Sequence, residues 1–326
     1  MYSIGVDLGG TKIRTAIVSD SGSVLHSAEL PTGATDGPDA VIERVLDSIR
    51  CAMAVLADRT DSTYQRKLIG IGVGSPGPLD PRTGVVLSPP NLPGWNRIPL
   101  RQHVESVFQL PTYLDNDANV AALAEWRFGA GQGADNMVYA TVSTGIGAGL
   151  ILDGKLFHGQ SGSAGEIGHM IVDAKGPLCT CGNHGCLEAW SSGTAISNIA
   201  TERYGRPLNA KEVEQLAKQG DAQAQDILEQ AFSYLGLGLI NVVNLFNPSV
   251  IVIGGGVAQV GAPLFERVRD IVLKQAIQGK SVQILPALLG KNAGVIGAAA
   301  LPFISLGGGD GHDTRKSTHS LSYDPV

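Results

Sequence analysis

Three of the chain's four cysteines fall in one short stretch, Cys179-Thr-Cys181-Gly-Asn-His184-Gly-Cys186-Leu-Glu188, with Glu166-Ile-Gly-His169 just ahead of it. A C-x-C pair followed by C-x4-C, with Gly182 and Gly185 inside the second loop, makes a tight turn that aims several sulfurs at one point. Such a cluster suits zinc, which takes four tetrahedral sulfur or nitrogen ligands at a closed structural site. Spacing alone leaves the fourth ligand open among His169, His184 and the remote Cys51. The competing arrangement is one disulfide and a free thiol. An acidic chain with no secretory signal is expected in the cytoplasm, where disulfides are rare and clustered cysteines bind metal more often. Glu166 and Glu188 flank the cluster, so closing it brings two carboxylates to one wall. Two acceptors fixed together suit a polyhydroxyl ligand.

A second set of residues reads as phosphate chemistry. Residues 2–7 form an apolar run ending in Asp7, followed by Leu8-Gly9-Gly10-Thr11-Lys12 and a second run at 13–18. Backbone N–H groups at Gly9, Gly10 and Thr11 make a nest for an oxyanion, and Asp7 is placed to hold water on Mg²⁺. A plain hairpin with Asp7 as a turn residue explains the same letters. The pattern recurs at 138–142 and Ser143-Thr144-Gly145-Ile-Gly147-Ala-Gly149, and each copy runs on to a third strand after a tight turn. A third glycine turn, Gly254-Gly255-Gly256, follows an apolar strand at 250–253. An internal repeat of this kind implies two similar α/β halves facing each other. Between them Asp115-Asn116-Asp117 ends a strand just before a strong helix at 118–128, and a triplet exceeds what helix capping needs. Gly72, Gly74 and Gly77 match G-x-G-x-x-G, but Pro76 and Pro78 remove donors and no helix follows, so 68–77 is read as a substrate loop instead.

The elements that position these residues follow from hydrophobic period. Apolar residues at helical spacing (Val41, Val45, Ile49, Met53, Leu56) predict a helix over 37–57, with Cys51 a buried apolar member of it. Residues 80–95 read as one long functional loop. Helices are expected at 100–108, 194–204, 210–218, 222–246, 264–276 and 294–304, and a strand at 282–285. Residues 306–326 read as a disordered tail with His312 and His319 solvated and idle. Composition agrees with a large globular chain: 326 residues, 43% hydrophobic, 17% charged. A net charge of −6 argues against a nucleic-acid surface. No apolar run is long enough to cross a membrane. The 43 glycines are the outlying count, many at strand ends where backbone must approach a ligand.

Walker A and protein-kinase patterns are missing, so three glycine turns with acids at strand ends point to the duplicated, hinged α/β fold of actin, heat-shock chaperone ATPases and sugar kinases. At residues 2–304 the chain resembles the ROK family (repressors, open reading frames, kinases), and within it the ATP-dependent glucokinases of bacteria. The resemblance implies an actin-like, ribonuclease H-like fold of two lobes around a cleft. One lobe would hold 1–117 and 295–326, the other 118–294. It also implies that Asp7, Gly9, Gly10, Thr11, Lys12, Thr144 and Gly145 bind phosphates of MgATP and Gly254, Gly255 and Gly256 its adenosine end. Asp117 would be the catalytic base, with Asn116, Glu166, His169 and Glu188 as hexose ligands. His169 would join Cys179, Cys181 and Cys186 on a structural Zn²⁺. The implied reaction is phosphorylation of the 6-hydroxyl of glucose, with N-acetylmannosamine or N-acetylglucosamine as the alternative substrate and a silent sugar sensor as a rival. Repressors of the family carry a helix-turn-helix ahead of the shared fold; this chain starts at the first strand, so no nucleic-acid partner is expected. A homodimer or higher homo-oligomer is implied.

Overall fold

The computed structural model describes residues 1–58 and 68–306. The sequence repeat appears as two five-stranded sheets with the same strand order. In the first, β1 (Tyr2–Leu8), β2 (Lys12–Ser19) and β3 (Val24–Pro31) form an antiparallel meander. Two strands, β4 (Leu68–Ser75) and β7 (Thr112–Asn116), then add in parallel on the β1 side. In the second sheet β8 (Met137–Val142), β9 (Ile146–Leu152) and β10 (Lys155–Leu156) are the meander, with β11 (Val250–Gly254) and β12 (Gln283–Pro286) added in parallel. The order is β3-β2-β1-β4-β7 in one and β10-β9-β8-β11-β12 in the other.

Helices cover both sheets. The outer side of the first sheet packs on α1 (Pro38–Asp58) and α2 (Leu100–Phe108), through Val41, Val45, Ile49 and Leu56 of α1 and Leu100 and Val104 of α2. The second packs on α4 (Leu187–Ser191), α5 (Gly193–Tyr204), α6 (Ala210–Lys218), α7 (Ala222–Phe246) and α8 (Ala262–Gln275). Between the sheets lie two helices that each leave one sheet and pack on the other. α3 (Asp117–Phe128) follows β7 yet sits on β8 and β9; α9 (Ala293–Leu306) follows β12 yet sits on β1 and β4. The seat of α9, between β4 and α3, needs glycine. A Cβ on Gly72 would stand 1.8 Å from the Ala298 carbonyl oxygen, and one on Gly297 would stand 1.6 Å from that of Val120.

Several sequence expectations need correction. Cys51 is exposed, because it lies two residues from buried Ile49, about 200° round the helix and so on the solvent side. Residues 68–75 are a buried strand, not a substrate loop; its glycines make room for α9 and, at Gly74, for Val120 of α3. Residues 80–95 are not one featureless loop. Asp80 already pairs in a small hairpin of β5 (Leu79–Asp80) and β6 (Val85–Val86), and Leu92 and Trp95 pack into the first core. The helix α4, which carries Glu188, was not anticipated. The expected tail beyond Leu306, with His312 and His319, lies outside the described residues.

Candidate active site

Each sheet presents its first hairpin turn at the same place. In the β1–β2 turn the Gly9 N–H donates to the Lys12 carbonyl at 2.9 Å. Gly9 is therefore committed to closing the turn, which corrects the expectation that its N–H would face a ligand. Gly10 and Thr11 have no backbone partner for their N–H groups among the described residues. Thr32 braces the turn from below: its hydroxyl donates to the Gly9 carbonyl at 2.6 Å and its N–H to the Thr11 carbonyl at 2.9 Å. Asn91 closes over Gly10, where a Cβ would stand 2.9 Å from its backbone oxygen. The β8–β9 turn repeats this economy. Ser143 N–H donates to the Gly145 carbonyl at 2.9 Å, which leaves Thr144 and Gly145 as the donors. Gly254, Gly255 and Gly256 end the neighbouring strand β11 beside Ser143; Gly255 adopts φ +91°, which a side chain rarely does, and its backbone crosses close to the Val142 carbonyl. Lys12 does not reach into this space, since its ammonium pairs with Glu29 on the sheet surface.

The Asp115-Asn116-Asp117 triplet divides its labour. Asn116 is the N-cap of α3, its Oδ1 accepting from the Ala118 N–H at 2.9 Å, so its Nδ2 is the group left to meet a ligand. Asp117 opens the helix and is exposed to the space between the sheets, with Oδ1 also accepting from Ala118 N–H at 2.8 Å. The surrounding protein pushes Asp117 up to about 6; the Ala118 N–H opposes this, and the carboxylates of Asp7 and Glu166 add to the rise. Asp117, Asp7 and Glu166 therefore share one electrostatic neighbourhood. Asp7 is also raised, by burial, with the Arg14 guanidinium pulling the other way. Asp115 is different: buried, and turned to the protein. Its Oδ1 accepts from Asn116 N–H at 2.7 Å and Asn119 Nδ2 at 2.8 Å, and its Oδ2 lies 2.6 Å from His158 Nε2. No sequence signal singled out His158 or Asn119.

Glu166 precedes the short 3-10 turn Ile167–His169 without a capping bond from its side chain, and Gly165 before it binds β9 through its carbonyl, 2.9 Å from the Ala148 N–H. Glu188 stands in the first turn of α4 with Oε2 accepting from the Ile146 N–H at 2.8 Å, so it abuts the second hairpin turn. Between the two acids the cysteine stretch folds back on itself. His169 Nδ1 lies 3.6 Å from Cys179 Sγ, and Cys181 Sγ lies 3.6 Å from Cys186 Sγ. The ligand atoms of His169, Cys179, Cys181 and Cys186 all fall within 4.8 Å of one another, a donor set able to hold one metal ion. The other two candidates lie outside this set: His184 Nδ1 meets the Gly176 carbonyl at 3.1 Å, and Cys51 is on the exposed side of α1. Burial and the neighbouring sulfurs push the Cys186 thiol well above its usual range, a state that a cation among the sulfurs would reverse.

Two equivalent glycine hairpin turns, a third glycine turn beside one of them, and an acid at the start of the helix between them belong to the duplicated actin-like ATPase fold. The chain belongs to the ROK family, whose family model matches residues 3–303. It is 37% identical to a glucokinase of Halalkalibacterium halodurans over 92% of this chain and 94% of that protein. A ROK hexokinase from Thermus thermophilus superposes with a TM-score of 0.83 at 37% identity, covering 94% of this chain and all of the other. A ROK glucokinase from Streptomyces griseus, solved with glucose and AMPPNP, gives a TM-score of 0.77 at 33% identity over 92% of this chain and 99% of that one. Among the described residues no helix is long and apolar enough to cross a membrane.

Proposed function

We propose that this protein is an ATP-dependent hexose kinase that transfers the γ-phosphoryl group of MgATP to the 6-hydroxyl of glucose. The observation that carries the proposal is Asp117, a carboxylate held at the start of α3 beside Asp7 and Glu166, with an anion turn on either sheet. Asp117 takes the 6-hydroxyl proton as that oxygen attacks the γ-phosphorus in line, and ADP leaves with the electrons of the broken P–O bond. Phosphoryl transfer rests mainly on positioning and on neutralising charge. The N–H groups of Gly10, Thr11, Thr144 and Gly145 serve the phosphates, Gly254–Gly256 borders the adenosine end, and Asp7 orders the metal-bound water of MgATP. Asn116 Nδ2, Glu166, His169 and Glu188 read ring hydroxyls; a buried acceptor left unpaired penalises a sugar that lacks the hydroxyl. His169, Cys179, Cys181 and Cys186 would hold a structural Zn²⁺, which, when bound, fixes the loop that carries these sugar ligands. His169, whose Nδ1 faces Cys179 Sγ, would give Nδ1 to the metal and leave Nε2 for a sugar hydroxyl, which would fix the ring.

The two sheets with their helices act as lobes, 1–58, 68–117 and 295–306 in one and 118–294 in the other, that close on the substrates. A homodimer or larger homo-oligomer in the cytoplasm completes the reading. The test is a kcat/KM panel with ATP over glucose, mannose, fructose, N-acetylglucosamine and N-acetylmannosamine. Glucose should lead. An N-acetylhexosamine in first place would move the substrate and keep the reaction, whereas no turnover of any of the five would reject the kinase.

A further inference from the structure

Asp115 is the buried member of the triplet, only 3% exposed, and a carboxylate taken out of water must have its lone pairs occupied. Two of its three partners are local, the Asn116 N–H and the Asn119 amide. The third, His158 Nε2 at 2.6 Å, comes from the second half, where His158 lies two residues beyond the end of β10. From His158 the chain makes a loop whose neck is closed by the Ala164 N–H donating to the His158 carbonyl at 3.1 Å. The loop then passes Gly165, anchored to β9, and delivers Glu166. Asp115 in turn holds the backbone N–H of Asn116, next to Asp117. The turn with Asn116 and Asp117 and the loop with Glu166 are thus joined by one side-chain hydrogen bond, although the two strands behind them belong to different sheets.

We propose that His158 is a positioning residue of the kinase: through Asp115 it sets the distance between the base-bearing turn of the first sheet and the hexose loop of the second. The inference rests on the kinase reading above and deepens it. The bond from His158 to Asp115 joins the turn of Asn116 and Asp117 to the loop of Glu166, and the kinase reading places both on the hexose, so its loss should be felt by the hexose more than by the nucleotide. A hydrogen bond to a charged group is the stronger kind, so losing it should cost roughly tenfold in an equilibrium or rate.

The experiment compares wild type, His158→Ala and His158→Gln, whose amide N–H can reach the same oxygen, in steady-state assays with glucose and ATP varied in turn. His158→Ala should lower kcat/KM for glucose about tenfold while KM for ATP stays within twofold, and His158→Gln should recover most of the loss. Glucose constants within twofold of wild type for a folded His158→Ala would overturn the proposal. So would equal losses toward both substrates with a lowered melting temperature that His158→Gln does not repair, because that is a merely structural role. Amide hydrogen exchange supplies a readout that needs no turnover. Truncating His158 should speed exchange at 116–119, across the cleft, and leave α9 unchanged. If wild type phosphorylates no hexose, the kinase reading fails, and exchange alone then decides the link: acceleration at 116–119 upholds it and unchanged protection overturns it.

Discussion

At the scale of single residues, Asp117 shows two effects in competition. Its place at the N-terminus of α3 and its bond from the Ala118 N–H favour the ionised form, as a helix dipole does. The surrounding protein and the nearby Asp7 and Glu166 charges win, and the group is raised from 3.8 to about 6. A base must be ionised to work, so kcat/KM for glucose should climb about tenfold per pH unit below about 6 and level off above it. A profile flat from pH 5 to 8 would remove Asp117 from the role of base. The sign for stability is opposite. The folded state holds this proton more tightly than the unfolded chain, so stability falls as pH rises from 3.8 to about 6 and the full cost stands above that. Asp117→Asn should therefore stabilise the protein at pH 7 by about 1 kcal/mol, once water in the open cleft is allowed for, but not at pH 4, read as a melting temperature raised at pH 7 alone. The same variant should lower kcat by roughly 10²–10⁴-fold while glucose still binds by calorimetry. Asp115→Asn, by contrast, should act on the glucose constants through the His158 link and on stability, without abolishing turnover. At the cysteine cluster, Cys181→Ser should lose the metal and glucose affinity together, read by metal analysis and calorimetry; full metal loss with unchanged glucose affinity would separate the two.

At the scale of elements, the close approach of α9 to the first sheet is the most exacting contact. A methyl group on Gly72 has the Ala298 carbonyl oxygen 1.8 Å away, and both partners are backbone, so neither can swing aside. Gly72→Ala should destabilise the protein by about 3 kcal/mol, read as a shift of the urea midpoint with the slope unchanged. A midpoint within error of wild type would mean the helix can slide at no cost. This contact also explains what could be read from sequence and what could not. The meanders were legible because alternating runs, glycine turns and Asp-Gly turns occur twice in the same order, and that is a local signal. Gly72 and Gly74 read as unlike a dinucleotide site, yet the reason for Gly72 lies with α9, more than 200 residues away, and that for Gly74 with Val120 of α3, both beyond any local pattern. Cys51 was misplaced because an apolar residue type was weighed above its angle on the helix. The ligand choice between His169 and His184 needed geometry: both are near in sequence, and only the fold turns His184 to the Gly176 carbonyl. His158 and Asn119 left no trace because their partner, Asp115, looked like a cap.

At the scale of the whole molecule, the chain passes between the sheets through α3 and returns through the link from β12 to α9, and these two passages touch. Glu125, near the end of α3, is fully buried. Its Oε1 accepts from the Leu289 N–H at 2.8 Å, and its Oε2 accepts from Leu288 N–H at 3.1 Å and Ala130 N–H at 2.9 Å. Three backbone donors satisfy the two carboxyl oxygens, and two of them belong to the return passage. Because α3 starts from the first sheet and packs on the second while α9 does the reverse, neither half can unfold without exposing a helix of the other. The wild type should accordingly melt in one cooperative transition. Removing the acceptor is a different matter from removing bulk. Glu125→Gln keeps the shape but turns one acceptor oxygen into a donor facing backbone N–H groups, and should cost about 2–3 kcal/mol through orphaned donors. Glu125→Ala also opens a cavity and should cost more. If the strut couples the halves, calorimetry of Glu125→Ala should show the single transition broadening or splitting, with glucose raising the part that contains Glu166 and the cysteine cluster. A single sharp transition at the wild-type temperature would show that the helix pair holds the halves together without Glu125.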